Sequence, residues 1–152
     1  MLKKQVKEDL YEPANEIQNV ELPEALLTLK GALVLLVEDN ELNQELAMEV
    51  LTMNGINVEV ASNGMEALKL LDEQTFDGIL MDCQMPIMDG YEATRKIREQ
   101  DKFRELPVIA MTANVMKHDV EKCLEVGMND HIAKPLDPDV MFLTMAKWIK
   151  PN

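Results

Sequence analysis

The chain is 152 residues long, which fits one globular domain with a short additional segment. It carries 28 acidic and 15 basic residues, a formal net charge of −13, and this excess disfavours direct binding to nucleic acid or anionic lipid. No apolar run approaches the roughly 18 residues needed to span a bilayer, and no apolar core of a secretory signal follows the N-terminal lysines. We therefore expect a cytoplasmic protein with no direct membrane contact from this segment.

The first part of the chain, residues 1–31, is predicted to be a linker or tail. It mixes charges of both signs with two prolines and shows no sustained apolar period. The stretch 23–27 is predicted to form a helical turn with proline at its first position. Residues 32–150 are predicted to form one folded domain.

Within residues 32–150, apolar runs of strand length alternate five times with helical stretches. The strands are expected near residues 33–37, 58–61, 79–81, 107–111 and 129–133. Each is followed by an amphipathic or capped stretch, ending near residues 53, 73, 100, 126 and 149. This alternation predicts an α/β fold in which five helices cover both faces of a five-stranded parallel sheet.

Functional side chains stand at the ends of four of these predicted strands. They are the acidic pair Glu38 and Asp39, the carboxylate of Asp82, the hydroxyl of Thr112, and the ammonium of Lys134. The carboxyl ends of parallel strands share one edge of the sheet, and ligands bind in the crevice there. We expect the four segments to converge on one pocket.

The chemistry of that pocket favours a divalent metal and a phosphoryl group. Three carboxylates would repel one another unless a cation neutralised them, and Mg²⁺ prefers oxygen ligands. Asp39 and Asp82 are the candidate ligands. An ionised aspartate needs no general base to attack phosphorus, and Lys134 and Thr112 would stabilise the oxygens of the transferred group. Pro135 is predicted to orient Lys134.

These motifs resemble the receiver domain of two-component response regulators over roughly residues 33–149. The motifs are VEDN at residues 37–40, MDCQMPIMDG at 81–90, MTA at 111–113 and KP at 134–135. The residues of these motifs are most similar to those of the C-terminal receivers of hybrid sensor histidine kinases. The resemblance implies a flavodoxin-like, doubly wound sheet with strand order 2-1-3-4-5.

The resemblance also implies roles for individual residues. Asp82 would be the phosphoacceptor, with Mg²⁺ or Mn²⁺ held by Asp39, Asp82 and the Gln84 backbone carbonyl, and by Glu38 through water. Thr112 and Lys134 would contact the phosphate, and Pro135 would be structural. The family places an aromatic switch residue three positions before the lysine, whereas this chain has His131 there. Thr112 and His131 are therefore the candidate switch residues.

Phosphoryl transfer from a histidine kinase or a histidine phosphotransfer domain is the function that this resemblance implies. The domain would catalyse its own phosphorylation and slow dephosphorylation, whereas kinase activity would belong to a parent chain. The parent chains in this family include inner-membrane sensors. A stand-alone response regulator and a receiver used only for binding are the alternatives. The resemblance also allows a homodimer through the last two βα units.

Two other classes of protein fit the sequence less well. A phosphatase with an aspartyl nucleophile commonly has a second aspartate two residues later, where this chain has Gln84. A flavodoxin-like cofactor binder needs a hydroxyl- and glycine-rich loop after its first strand, and Glu38 and Asp39 would repel a phosphate there.

The remaining reactive side chains receive no catalytic role from the sequence. Cys83 and Cys123 are far apart along the chain and neither has a histidine at metal-ligand spacing, so no disulfide framework or zinc site is indicated. We expect both to be free thiols, with Cys83 pointing away from the site into the core. His118 is predicted to lie on an exposed helix.

Overall fold

The computed structural model describes residues 21–85, 87–113 and 116–151, which contain five strands and six α-helices. The strands are β1 (Leu33–Val37), β2 (Asn57–Ala61), β3 (Gly78–Asp82), β4 (Val108–Thr112) and β5 (Asp130–Ala133). The helices are α1 (Leu22–Leu29), α2 (Glu41–Met53), α3 (Gly64–Glu73), α4 (Gly90–Arg98), α5 (Lys117–Glu125) and α6 (Pro138–Trp148), with a 3₁₀ turn at Asp101–Phe103. None of the helices in these ranges combines the length and the apolar character needed to cross a membrane.

All five strands pair in parallel in the order β2-β1-β3-β4-β5, which confirms the predicted sheet. Burial follows position in that order. Every residue of the central strands β3 and β4 is buried, whereas the edge strand β2 alternates between exposed and partly buried side chains up to Ala61, its buried last residue. Continuous apolar runs therefore mark the strands that helices cover on both faces.

Successive side chains along the strands contribute to two separate apolar cores. On one face, Leu35, Ile79 and Met81 pack with α3, α4 and α5. On the other face, Leu36 and Leu80 pack with α1, α2 and α6. Because neighbouring residues of a strand point to opposite faces, a single strand such as β3 supplies both cores. The fold is thus a three-layered α/β sandwich, as predicted.

The helix count is the one correction to the predicted fold, because the described residues contain six α-helices instead of five. The additional helix, α1, precedes β1 in the segment predicted to be a linker or tail, where only a helical turn was expected. Its side chains Ala25 and Leu29 are fully buried in the same core as Met145 and Ile149. An eight-residue helix is marginal alone, so docking against α6 accounts for its stability. Residues 1–20 of the predicted linker lie outside the described residues.

Side-chain caps fix where the helices begin. Asn40, Asn63, Asp89 and Asp137 each precede a helix and accept a hydrogen bond from a backbone N–H in its first turn. Such caps satisfy donors that have no partner within the helix. Asn40 and Asp89 matter most for the site, because they start the helices that follow β1 and β3.

Candidate functional site

The carboxyl ends of β1 and β3 bring three carboxylates together. Asp82 is the last residue of β3, and Glu38 and Asp39 follow directly after β1. Oxygen atoms of the three side chains all lie within 4.8 Å of one another. Glu38 and Asp82 are buried, each 3% exposed, whereas Asp39 is exposed to solvent. The predicted acidic cluster is therefore formed by the fold itself.

Lys134, at the end of β5, supplies the positive charge of this cluster. Its Nζ lies 3.1 Å from Asp82 Oδ1 and 3.3 Å from Glu38 Oε1. The lysine side chain is a quarter exposed, whereas both carboxylates are almost fully buried. One ammonium thus bridges two buried carboxylates, and its open side faces solvent.

The electrostatics of the cluster disfavour a charged Asp82. Burial and, to a smaller extent, the nearby Glu38 carboxylate raise the pKa of Asp82 to about 6, although the Gln84 N–H and the Lys134 ammonium partly offset them. Burial lowers the pKa of Lys134, but the two carboxylates outweigh that effect and hold its pKa above the ordinary value. With three carboxylates and one ammonium, the cluster lacks positive charge.

The other predicted site residues lie around this cluster. Thr112 is buried at the end of β4, where its carbonyl accepts a hydrogen bond from the Lys134 N–H. The Gln84 N–H donates to Asp82 Oδ1 at 3.2 Å, while the Gln84 side chain is exposed. The peptide bond between Lys134 and Pro135 is cis. The fold therefore gathers the carboxyl ends of β1, β3, β4 and β5 at one edge of the sheet.

His131 lies farther from the carboxylates, in the middle of β5. It is paired with Ala110 of β4, and its side chain is 16% exposed. Its Nδ1 is 3.6 Å from Asp130 Oδ1. Burial lowers the pKa of His131, and the Asp130 carboxylate offsets only part of this shift. The side chain of His118, in contrast, is 82% exposed on α5, as expected.

Two residues that hold Glu38 in place were not predicted from the sequence. The Asn40 N–H donates to Glu38 Oε2 at 3.2 Å, and Gln44 Nε2 donates to the Glu38 carbonyl oxygen at 2.6 Å. Gln44 also reaches Ser62 Oγ at 3.4 Å, which ties α2 to the end of β2. The available signal is the position of Gln44 one helical turn after the Asn40 cap, which points its side chain back toward the strand end.

A largely apolar cavity of about 600 Å³ opens beside the carboxylate cluster. Glu38 and Lys134 form its polar end, and side chains of α2 and α6, including Leu46, Val50 and Met141, form its walls. Two leucines on the adjoining surface of α2 are exposed, Leu42 by 64% and Leu46 by 54%. The site is therefore flanked by an apolar surface that the sequence alone did not reveal.

The donor set fits a hard divalent cation. Carboxylate oxygens are the ligands that Mg²⁺ and Mn²⁺ prefer, and they are close enough here to share one ion. A divalent charge would also compensate the two negative charges that Lys134 leaves unbalanced. An exposed Asp39 beside a buried Asp82 leaves one side of such an ion open to solvent and substrate.

Histidine kinases from two organisms are similar to this chain in sequence. The chain is 40% identical over 130 residues to hybrid signal transduction histidine kinase I of Dictyostelium discoideum, an alignment that covers 78% of this chain and 8% of that protein. It is 35% identical over 160 residues to histidine kinase 1 of Arabidopsis thaliana, covering 82% of this chain and 13% of that protein. The chain thus spans only a small part of the length of these relatives.

Solved structures share the fold. The receiver domain of a sensor histidine kinase from Pseudomonas aeruginosa, solved with a magnesium ion in its active-site cleft, is 42% identical with a TM-score of 0.72, covering 78% of this chain and 97% of that one. The receiver domain of a Saccharomyces cerevisiae response regulator, solved with a histidine phosphotransfer protein, is 30% identical with a TM-score of 0.74, covering 79% of this chain and 90% of that one.

The match to a family model agrees with these similarities. Residues 34–146 match the model of the response regulator receiver domain, and this range runs from β1 to α6. It contains every residue of the carboxylate cluster together with Lys134. The chain belongs to the response regulator receiver domain family, whose members act in two-component phosphorelay signalling.

Proposed function

We propose that Asp82 accepts a phosphoryl group from the phosphohistidine of a histidine kinase or a histidine phosphotransfer domain. This proposal rests on the buried Asp82 carboxylate. Its Oδ1 lies 3.1 Å from Lys134 Nζ, and oxygen atoms of Asp82, Glu38 and Asp39 lie within 4.8 Å of one another. Lys134 and the Gln84 N–H both contact Oδ1 of this carboxylate, and the exposed Asp39 marks the open side of the cluster. That open side is where a phosphoryl group would enter.

Mg²⁺ or Mn²⁺ would be held by Asp39, Asp82 and the Gln84 backbone carbonyl, with Glu38 bound through water. When bound, the ion supplies positive charge to the oxygens of the phosphoryl group. Gln44 and the Asn40 N–H would keep Glu38 in position for this role. The exposed Asp39 gives the ion a route in from solvent.

In the proposed transfer, a carboxylate oxygen of Asp82 forms a bond to phosphorus while the bond from phosphorus to the donor imidazole nitrogen breaks. The imidazole leaves with the bonding electron pair, and the product is an aspartyl phosphate. Lys134 would turn from the carboxylate to an oxygen of the phosphoryl group, and the Thr112 hydroxyl would contact another. Thr112 ends β4, which pairs with β3, and Lys134 follows β5, which pairs with β4.

Switching would then pass from Thr112 to His131 through neighbouring strands. Thr112 is paired with Ala133 in the ladder between β4 and β5, and His131 lies two residues earlier on β5. A shift of Thr112 toward the new phosphoryl group would change the space available to the His131 ring. The partner-binding surface formed by the last two βα units would respond to that change.

The proposed phosphodonor is a protein domain, because an apolar surface adjoins the site. Exposed Leu42 and Leu46 and the cavity between α2 and α6 would receive apolar side chains of the donor. Leu46→Asp should slow transfer from a phosphohistidine domain at least fivefold and leave labelling by acetyl phosphate unchanged. Equal slowing with both donors would count against docking at this surface.

The parent protein is proposed to be a hybrid sensor histidine kinase of the cytoplasm or of the inner membrane. In that proposal residues 1–31 link the receiver to preceding domains, and residues 32–150 are the receiver. The supporting observation is the similarity to much longer histidine kinases. A stand-alone regulator would take up a phosphoryl group in the same way, whereas a binding-only receiver would not, and an experiment with the isolated chain separates the latter.

The test is intact mass spectrometry after incubation with Mg²⁺ and acetyl phosphate. We expect one phosphoryl adduct in the unmutated chain and none in Asp82→Asn or after chelation of the metal. Asp89→Asn, a change of the same chemistry at the cap of α4, is the matched control and should keep the adduct. A folded parent that gains no adduct from acetyl phosphate or from phosphohistidine donors would establish the binding-only reading.

A further inference from the structure

A second reactive cluster lies directly behind the phosphoryl site. Cys83 follows Asp82 in the chain, and its side chain enters the core between β3, α4 and α5. There the thiol of Cys83 interacts with the thiol of Cys123 on α5 and with the Tyr91 hydroxyl on α4, and all three side chains belong to one apolar cluster. Both cysteines are 1% exposed and both are free thiols. Residues 40 positions apart in sequence are thereby brought into contact.

We propose that Cys83 and Cys123 form a redox-active dithiol that a peroxide or a small-molecule disulfide oxidises to an intramolecular disulfide. With hydrogen peroxide, one thiol becomes a sulfenic acid with release of water, and the second thiol displaces a further water to form the S–S bond. The two sulfurs together lose two electrons and two protons, and the peroxide is reduced to two molecules of water. The reverse step needs a thiol reductant.

An oxidant has a route to this thiol pair. An open cavity of about 530 Å³ is lined by Cys83, Tyr91 and Lys122, together with Gln84 and Asp89 of the loop between β3 and α4. Buried thiols are usually inert, and Cys83 is only 1% exposed, so a small oxidant reaches it when the side chains that line this cavity move apart. Lys122 Nζ stands 4.2 Å from the centre of the Tyr91 ring, so a positive charge also lies at this opening.

The two thiols are not equivalent. Hydrogen bonds from the Cys83 thiol and the Tyr91 hydroxyl lower the pKa of Cys123, against burial, which raises it. The pKa of Cys83 is raised, chiefly by its interaction with Cys123 and by burial. Cys83 lines the open cavity, so it is the thiol that the oxidant meets, and Cys123 is the thiol that attacks the oxidised Cys83.

Disulfide formation would disturb the phosphoryl site through Gln84. The S–S bond is about 2 Å long, shorter than the separation of two hydrogen-bonded thiols, so oxidation draws Cys83 toward α5. The next residue, Gln84, donates its N–H to Asp82 Oδ1, and its carbonyl is the proposed metal ligand. This consequence rests on the proposed function. We expect phosphoryl uptake to slow roughly tenfold in the oxidised chain, as when an outer-shell partner of a metal site is removed.

The test treats the full chain with hydrogen peroxide or oxidised glutathione, removes the oxidant, and measures intact mass and cross-linked peptides. The chain has only two cysteines, so a monomer lighter by two hydrogen atoms contains the Cys83–Cys123 disulfide. We expect this mass in the parent and its reversal by dithiothreitol. Cys83→Ser and Cys123→Ser should each lack this lighter monomer. Circular dichroism shows whether each variant folds, so a variant that does not fold is left out of the comparison.

Two results would overturn the proposal. In the first, the folded chain is treated with an amount of oxidant that oxidises a model dithiol and is then unfolded, and both of its thiols still react with maleimide. The other is oxidation that yields only linked dimers or adducts at single thiols. A disulfide that leaves the rate of phosphoryl uptake unchanged would overturn the regulatory consequence. A reduced parent that takes up no phosphoryl group would count against the proposed function and leave the disulfide result standing.

Discussion

The two sides of β3 at its carboxyl end show how one strand supports two kinds of buried polar cluster. On one side, Asp82 lies 3.1 Å from Lys134 among carboxylates that repel it. On the other side, Cys83 meets Cys123 and Tyr91 without a full charge in the thiol form. Because adjacent side chains of a strand point in opposite directions, two consecutive residues reach these different surroundings.

The difference lies in what each cluster costs the fold. A buried carboxylate must be paired, and an incomplete pairing raises its pKa and lowers stability. A buried thiol behaves as a small apolar group with a weak donor, and it needs no partner to remain buried. The carboxylate cluster therefore lowers the free energy of unfolding of the metal-free chain and can bind a ligand. The two thiols lie in an ordinary apolar core, and their only special property is the proposed oxidation.

The largest expected effect comes from removing the cation of the carboxylate side. Lys134→Met should lower the free energy of unfolding of the metal-free chain by about 2–3 kcal/mol at pH 7, because two nearly buried carboxylates lose their shared partner. The figure is at the low end for a buried pair, since Lys134 is a quarter exposed. Urea denaturation measures it.

The matched control for this change is Lys102→Met. Lys102 and Asp72 form an ion pair of 3.8 Å whose side chains are 59% and 65% exposed. Screening by solvent limits such a pair to roughly 0.5 kcal/mol. Equal losses in the two variants would contradict the assignment of the Lys134 pair as a buried, strongly coupled one.

Asp82→Asn should act in the opposite direction and stabilise the metal-free chain by about 1–2 kcal/mol at pH 7. The pKa of Asp82 is raised from 3.8 to about 6, so the native state binds its proton more tightly than the unfolded state does. The parent therefore loses stability as the pH rises through this range, and the asparagine variant does not. Below pH 3.8 the two should differ little.

Unfolding curves at pH 3.5, 5 and 7 measure this prediction. Saturating Mg²⁺ should remove the advantage of the variant, because binding to the native parent alone stabilises it by about 2.7 kcal/mol at a hundredfold excess over the dissociation constant. A variant that is less stable than the parent at pH 7 without metal would show that Lys134 already compensates Asp82.

The third prediction concerns the residue that holds Glu38. Gln44→Met removes the hydrogen bond of 2.6 Å to the Glu38 carbonyl and should weaken Mg²⁺ binding by about 1 kcal/mol, roughly fivefold. Isothermal titration calorimetry measures the affinity. Gln74→Met, the same change at the end of α3, should leave it unchanged. Unaltered affinity in Gln44→Met would limit that bond to a role in packing.

The carboxylate side could be predicted from the sequence because its parts follow strands. Runs of apolar residues located the ends of β1, β3, β4 and β5, and parallel topology then required Glu38, Asp82 and Lys134 to meet. The sheet order and the family were also confirmed. The catalytic and metal-binding roles of the individual residues stay predictions, because geometry places side chains together without showing what they transfer.

The features that were missed depend on packing between helices. Nothing in the spacing of Cys83 and Cys123 indicates that α5 places one thiol against the other. Helix α1 has apolar residues at positions 22, 25, 26 and 29, but a pattern of eight residues becomes a helix only when α6 covers it. Contacts of this kind depend on the approach of whole elements, which local periodicity does not fix.

The smallest expected effect tests the thiol side with a double-mutant cycle. Cys83→Ala and Cys123→Ala should each lower the free energy of unfolding by about 1 kcal/mol, chiefly through lost apolar contacts. Their coupling energy should be about 0.5 kcal/mol, because a thiol is a weak donor and Tyr91 remains as a partner for either sulfur. The same cycle for Asp82→Asn and Lys134→Met should give at least twice that value. A thiol coupling as large as the charge coupling would mean that both sides of β3 are polar networks of equal strength, and the contrast between a strained carboxylate and a relaxed thiol would fail.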